Sequence, residues 1–170
     1  MNGTIAFAPR ARGLWRLLPT SWAVLMTKPS PRDFEHSVEV ESDYHRCQEV
    51  RDDIIARARA HRFCDHAVLG IQLALQEALV NAVKHGNADD RAKRIQIDYS
   101  VTATEVRIRI ADEGSGFDPA AVPDPTAPEN LFTPGGRGLL LIRKFMSRVE
   151  YHGCGNTVEM WLYKEDVTEV

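Results

Sequence analysis

Apolar residues recur along this chain with two periods, one of two residues and one of about 3.6, and the switches between them mark out its elements. Residues 37–41 set Val38 and Val40 among polar neighbours, the pattern of a short strand. Ser42 or Asp43 then stands where a helix cap is needed, ahead of a helical run to about Ala60 that carries Tyr44, Cys47, Val50, Ile54 and Ala58. A second helix, expected to be capped by Asp65, gathers Val68, Ile71, Leu75, Leu79, Ala82 and Val83 on one side at 100° per residue. Its other side carries Glu77, Asn81, Lys84 and His85. Glu77, Asn81 and His85 follow at i, i+4 and i+8, so they form one ridge, and Gly70 and Ala74 are expected to leave open space beside it. Gly86 is expected to end this helix in the left-handed conformation.

Residues 94–101 and 105–112 each alternate apolar and polar side chains across a short break, which predicts an antiparallel hairpin. The second strand runs into an acidic loop with two glycines, Asp112, Glu113, Gly114, Ser115, Gly116, Phe117 and Asp118. Five prolines between 119 and 134 mark a long loop, and a loop of that length inside a domain usually has a function. It ends in Gly135, Gly136, Arg137 and Gly138, ahead of a helix predicted from Leu139 to about Met146. Bare amides at a helix N-terminus make a cradle for anions. Two further alternating strands, 148–152 and 157–164, close the chain around a turn containing Gly153, Cys154, Gly155 and Asn156.

Residues 1–33 differ from all of this. They hold four prolines, the apolar run from Leu14 to Met26, and five basic residues before the first acid, Asp33. Pro19 interrupts the run, no Ala-x-Ala site follows, and about 13 residues are too few to cross a bilayer. The expectation is a flexible N-terminal extension on a domain covering 34–170, with no membrane attachment, although a helix lying on a surface remains open.

Composition narrows the picture. The 170 residues, 44% apolar, suit one domain with an ordinary core. Without the five extension cations, 16 basic residues face 24 acidic ones, a formal charge of −8 that argues against a general nucleic-acid binder. Cys47, Cys64 and Cys154 cannot all pair and lack metal or redox spacing, which points to the cytoplasm. His61, Cys64 and His66 lack the spacing of a zinc site and a fourth ligand, so no zinc is assigned. The glycine loops match neither the dinucleotide fingerprint nor the P-loop.

Taken in order, three segments resemble the motifs of the GHKL ATP-binding superfamily, which joins gyrase-type ATPases, the large heat-shock chaperone, histidine kinases and mismatch-repair proteins. Glu77-x-x-x-Asn81-Ala82-x-x-His85-Gly86-Asn87 resembles its N box, Asp112-x-Gly114-x-Gly116-Phe117 its first glycine box, and Gly136-Arg137-Gly138-Leu139 its second. The small size, the His-Gly-Asn ending and the GGRGLLLI segment most resemble the anti-sigma-factor serine/threonine kinases of bacterial partner switching, over Phe34 to about Tyr163.

That resemblance implies a two-layer α+β (α/β) sandwich, with a mixed, largely antiparallel sheet covered on one face by three helices. It implies ATP and Mg²⁺ as cofactors, with Asn81 as the magnesium ligand and Glu77 as the general base. Asp112 would take the adenine amino group, Gly114 and Gly116 would let the backbone pass close to the base, and Gly136, Gly138 and Arg137 would hold phosphates, assisted by Lys84 and His85. The implied activity is phosphorylation of a serine on a STAS-type anti-sigma-factor antagonist, with sequestration of a sigma factor by a homodimer. Two other readings stay open: a non-catalytic ATP-binding docking module, and a kinase whose partner switch has a non-sigma target. A stand-alone ATPase of the gyrase branch would need a dimerising arm, for which only the extension is available.

Overall fold

A computed structural model describes residues 34–123, 125 and 137–167. The expected extension at 1–33, most of the proline-rich loop, and Gly135 and Gly136 lie outside them.

The elements follow the order β1 (His36–Glu41), α1 (Tyr44–Ala60), α2 (Asp65–Val80), a π-helical turn (Asn81–Gly86), β2 (Arg94–Val101), β3 (Glu105–Asp112), α3 (Arg137–Phe145), β4 (Arg148–His152) and β5 (Thr157–Tyr163). The five strands form one sheet in the order β1-β2-β3-β5-β4, and every pairing is antiparallel. This corrects the expected mixed sheet. β3 and β4 do run the same way, joined by a crossover through α3, but β5 inserts between them and pairs antiparallel with both.

Alternation sorts the two faces of the sheet. Ile95, Ile97, Tyr99, Val101, Val106, Ile108, Ile110, Val158, Met160 and Leu162 are all buried in the same core as the inner faces of the helices. The opposite face carries charge in cross-strand pairs. Asp98 lies opposite Arg109, and Arg109 opposite Glu159. Asp98 accepts hydrogen bonds from Ser37 (2.6 Å), Gln96 (2.8 Å) and Arg109 (2.9 Å from Nε), while Glu159 accepts from Arg107 at 2.7 Å. The Phe34 ring lies over both guanidinium groups, 4.4 Å from that of Arg107 and 5.0 Å from that of Arg109. Asp98 and Glu159 are fully buried as a result, which is tolerable only because each is paired with an arginine.

Helix α1 starts as its sequence predicts, with the Asp43 carboxylate accepting the His45 N–H at 2.8 Å. Helix α2 starts one residue differently: Cys64 is the cap, without a side-chain hydrogen bond, and Asp65 is the first helical residue, where its charge meets the positive end of the dipole. Gly70 and Ala74 are buried, not open, and Phe145 of α3 packs over Gly70, where a Cβ would meet it at 3.1 Å. The span 65–86 is long and apolar enough to cross a membrane by length and composition, but here it is the central helix, packed on the sheet between α1 and α3.

After Val80 the helix widens. Asn87 N–H donates to the Ala82 carbonyl five residues back, at 2.8 Å, which closes the π-turn. Gly86 does not adopt a positive φ; the left-handed residues are Ala88 (φ 57°) and Asp89 (φ 58°), beyond the expected stop.

Candidate nucleotide site

A cavity of about 300 Å³ opens at the end of α2. Ala78, Asn81, Ala82, His85 and Gly86 form its wall on the helix side, and the alanines leave the room that larger side chains would fill. Ile110, Asp112, Gly116 and Phe117 form the facing wall, completed by Val122, by Leu139 and Ile142 of α3, and by Tyr151, Gly155, Asn156 and Val158 of the β4–β5 hairpin. The space is mostly apolar with a few polar groups converging on it, the usual makeup of a site for a flat heteroaromatic ligand. Phe117 and Tyr151 meet edge to face at 5.5 Å, and burial pushes the Tyr151 phenol above its ordinary pKa.

Asp112 is the acid of this wall. Burial raises its carboxyl above the ordinary carboxylate value, partly offset by the Gly114 N–H and by the charge of Lys93. Gly114 N–H donates to Oδ1 at 2.8 Å, and Oδ2 accepts no hydrogen bond from any described residue. One oxygen is thereby oriented and the other is available to a ligand donor.

Gly86 explains how the carboxylate reaches this position. A Cβ there would lie 2.3 Å from Asp112 Cγ and 2.4 and 2.6 Å from its two oxygens. Glycine is required here for close approach between two segments and not for helix termination. Gly114 packs from behind, where a Cβ would lie 2.1 Å from the Gly86 carbonyl oxygen.

Of the residues singled out in the sequence, Asn81, His85, Asp112 and Gly116 line the cavity. Glu77 lies one turn before Asn81 and approaches the start of α3, where a Cβ on Gly138 would be 2.6 Å from its Oε2. Gly114 supports the wall without lining it, Arg137 is the exposed first residue of α3, and Gly136 lies outside the described residues. Lys84 is not brought to this site. It lines a separate depression with Ser42, Asp43, Tyr44, Val80, Val83, Asp89 and Arg91. No three His, Cys, Asp or Glu side chains among the described residues are grouped to hold a metal. A magnesium ion in this cavity would have Asn81 as a protein ligand and depend on phosphate and water for the rest, which suits an ion that keeps much of its hydration shell.

Sequence reasoning missed Tyr151, Asn156 and Ile142 as cavity residues, because nothing local marks a hairpin turn or a helix interior as part of a pocket. It also treated Asn87 only as the last letter of a motif. The Asn87 side chain is fully buried, accepting the Glu113 N–H at 2.9 Å and donating to the Arg94 carbonyl at 3.0 Å.

A central helix, a glycine-bearing acidic loop and the N-terminus of a third helix, converging on an apolar cavity above a five-stranded sheet, define a GHKL-type nucleotide-binding domain. The family model of the histidine kinase-like ATPase domain matches residues 40–162, and the chain belongs to that family. Among curated relatives, the serine-protein kinase RsbW of Oceanobacillus iheyensis is 31% identical over 94 residues, covering 52% of this chain and 60% of that protein. The serine/threonine-protein kinase BtrW of Bordetella bronchiseptica is 35% identical over 83 residues, covering 48% and 58%. RsbW of Staphylococcus aureus is 33% identical over 106 residues, covering 56% and 67%. The aligned part thus spans about 60% of the length of the first two relatives.

Proposed function

We propose that this chain is an ATP-dependent protein serine kinase acting on a STAS-type anti-sigma-factor antagonist, and that it sequesters a sigma factor when the antagonist is phosphorylated. The observation that carries the proposal is the position of Glu77: its carboxylate meets the N-terminus of α3 while Asn81, one turn on, enters the cavity wall. In this reading the Asp112 carboxylate accepts the adenine amino group, and Phe117, Tyr151 and Leu139 enclose the ring. Asn81 would hold Mg²⁺, which would supply positive charge to offset that of the phosphates, the amides at Gly136 and Gly138 would bind phosphate oxygens, and Arg137 and His85 would assist. Lys84 has no part, given where it lies. Glu77 takes the serine Oγ proton as the oxygen–phosphorus bond forms and the bond from Pγ to the bridging oxygen breaks, leaving ADP and a phosphoserine.

Membership of an ATPase-domain family and relatives named as serine kinases support ATP use and phosphoryl transfer. The sigma factor, the antagonist and the homodimer are carried by the resemblance to partner-switching kinases. Unpaired Cys47, Cys64 and Cys154 are consistent with a reducing cytoplasm. The test is incubation with radiolabelled ATP, Mg²⁺ and STAS-domain proteins from the same genome, beginning with any encoded beside it. A labelled serine is expected, with labelling lost and ATP binding kept in Glu77→Ala. Failure of the wild type to label any STAS candidate would refute the kinase.

A second reading, a non-catalytic docking module ordered by ATP, draws on Glu77 lying outside the cavity lining. It predicts unchanged partner binding in Glu77→Ala and no transfer by either protein.

A further inference from the structure

Asn87 has no exposed surface and does not line the cavity, yet it ties together three segments that build it. Its N–H closes the π-turn on Ala82, its side-chain amide nitrogen donates to the carbonyl of Arg94 at the start of β2, and its side-chain oxygen accepts the N–H of Glu113. Glu113 returns the tie to β2, its carboxylate accepting the Arg94 N–H at 2.7 Å.

The opposite side of the same peptide unit is held by another asparagine. Asn156 donates from its side chain to the Asp112 carbonyl at 2.9 Å, and its own carbonyl accepts the Asp112 N–H at 3.0 Å. The planar peptide joining Asp112 to Glu113 is therefore gripped at its C=O by Asn156 and at its N–H by Asn87, and a planar unit held at both ends cannot rotate. The carboxylate of Asp112 is fixed in turn by the Gly114 N–H, leaving Oδ2 in one direction.

We infer that Asn87 and Asn156 form a clamp that sets the direction of the Asp112 carboxylate, and that Asn87 is a positioning residue for purine selection. The inference rests on the cavity being the ATP site. Preference for a purine bearing a 6-amino group depends on where Oδ2 points, because a hydrogen bond to a charged acceptor weakens steeply as its geometry is lost. Asn87 makes no contact with the cavity, so its effect on nucleotide choice passes through Asp112.

The test compares ATP with purine riboside triphosphate, which lacks the 6-amino group, by calorimetric titration of the full chain with Mg²⁺. The wild type is expected to prefer ATP by roughly 10-fold or more, the worth of one charged hydrogen bond. Asn87→Ala and the milder Asn87→Ser should reduce that preference to less than about threefold, by weakening ATP more than the analogue. In an Asp112→Ala background, Asn87→Ala should cause no further loss of ATP affinity, since both changes remove one interaction. A scaffold residue would weaken both nucleotides alike and add its loss to that of Asp112→Ala. In the wild type without nucleotide, the Glu113 amide should exchange hydrogen as slowly as its β3 neighbours, a measurement that needs no variant. A wild type that binds neither nucleotide overturns the ATP reading itself. A wild type that prefers ATP, with the preference kept in both Asn87 variants or with a fast-exchanging Glu113 amide, overturns the clamp alone.

Discussion

Replacing Gly86 by alanine separates two reasons for having a glycine at that position. The backbone there has no positive φ, so alanine is sterically allowed by the main chain and should gain about 0.4 to 1 kcal/mol from a stiffer unfolded chain. The new Cβ, however, would sit 2.3 Å from Asp112 Cγ, where ordinary contact begins at 3.4 Å, so the carboxylate must retreat by about 1 Å. Overpacking of this kind costs about 1 to 3 kcal/mol, and the two terms leave a net loss of stability of about 0 to 2.6 kcal/mol. The effect on ligand should be larger. A retreat of that size breaks the 2.8 Å bond from Gly114 and takes Oδ2 away from the ligand, removing a charged hydrogen bond of about 1.5 to 3 kcal/mol, or roughly 10- to 150-fold in Kd. Calorimetric titration with ATP and urea denaturation of the same variant give the two numbers. ATP binding within threefold of wild type, with a stability loss alone, would refute the argument that the close approach at Gly86 sets the Asp112 carboxylate.

Other expectations follow from single contacts. Because burial raises the Asp112 pKa, the native state binds that proton more tightly than the unfolded chain and stability falls as pH rises from about 3.8 through the native pKa. Asp112→Asn should therefore melt higher than wild type at pH 7, lose that advantage on acidification toward pH 3.8, and bind ATP more weakly; an advantage independent of pH would contradict the burial cause. Asp98→Ala removes the buried carboxylate to which Arg109, Ser37 and Gln96 all donate, and should cost about 3 to 5 kcal/mol in urea denaturation, with ATP affinity unchanged in the folded fraction; a loss below about 1 kcal/mol would show that the network is not holding the sheet face. Deleting Lys84, exposed and off the site, should turn the π-turn back into α-helix, preserve helix content by circular dichroism, and lower ATP affinity by about 10-fold or more as Gly86 loses its place against Asp112; unchanged affinity would mean that the π-turn is incidental.

The strands were legible because a period of two survives any tertiary context in which one face is buried, and β2 and β3 fall at the predicted residues. Helix α1 was legible because Asp43 announces its start in chemistry that acts locally. What escaped was non-local. Alternation assigns Asp98 and Glu159 to the outer face correctly, but their burial depends on arginines from neighbouring strands and on the Phe34 ring, none of them adjacent in sequence. Gly70 looked like a gap because the Phe145 that packs on it lies 75 residues on in the sequence. The mixed sheet came with the family resemblance and not from any residue pattern; β3 and β4 do run the same way, but β5 lies between them and pairs antiparallel with both. In the candidate site the family resemblance named the motif residues, but nothing in the sequence named their supports. The Asn87 and Asn156 hydrogen bonds join segments 26 and 44 residues apart.

The π-turn accounts for where Lys84 goes. An α-helical ridge carries Glu77, Asn81, Lys84 and His85 around one side, and that geometry holds as far as Val80. From Asn81 each turn takes in an additional residue, so side chains beyond it slip around the axis relative to those before it. His85 and Gly86 line the cavity, and Lys84 lines a separate depression. The central helix thus divides into two parts with different duties in the proposed kinase. Glu77 sits in regular helix and Asn81 at its junction with the π-turn, so base and metal ligand are separated by one turn of the stiffest geometry a chain offers, about 6 Å between Cβ atoms. The π-turn that follows bends the recognition end toward Asp112. Chemistry that needs a fixed spacing between two groups is placed on the regular helix, and recognition that needs a helix end to meet a distant loop is placed on the irregular one.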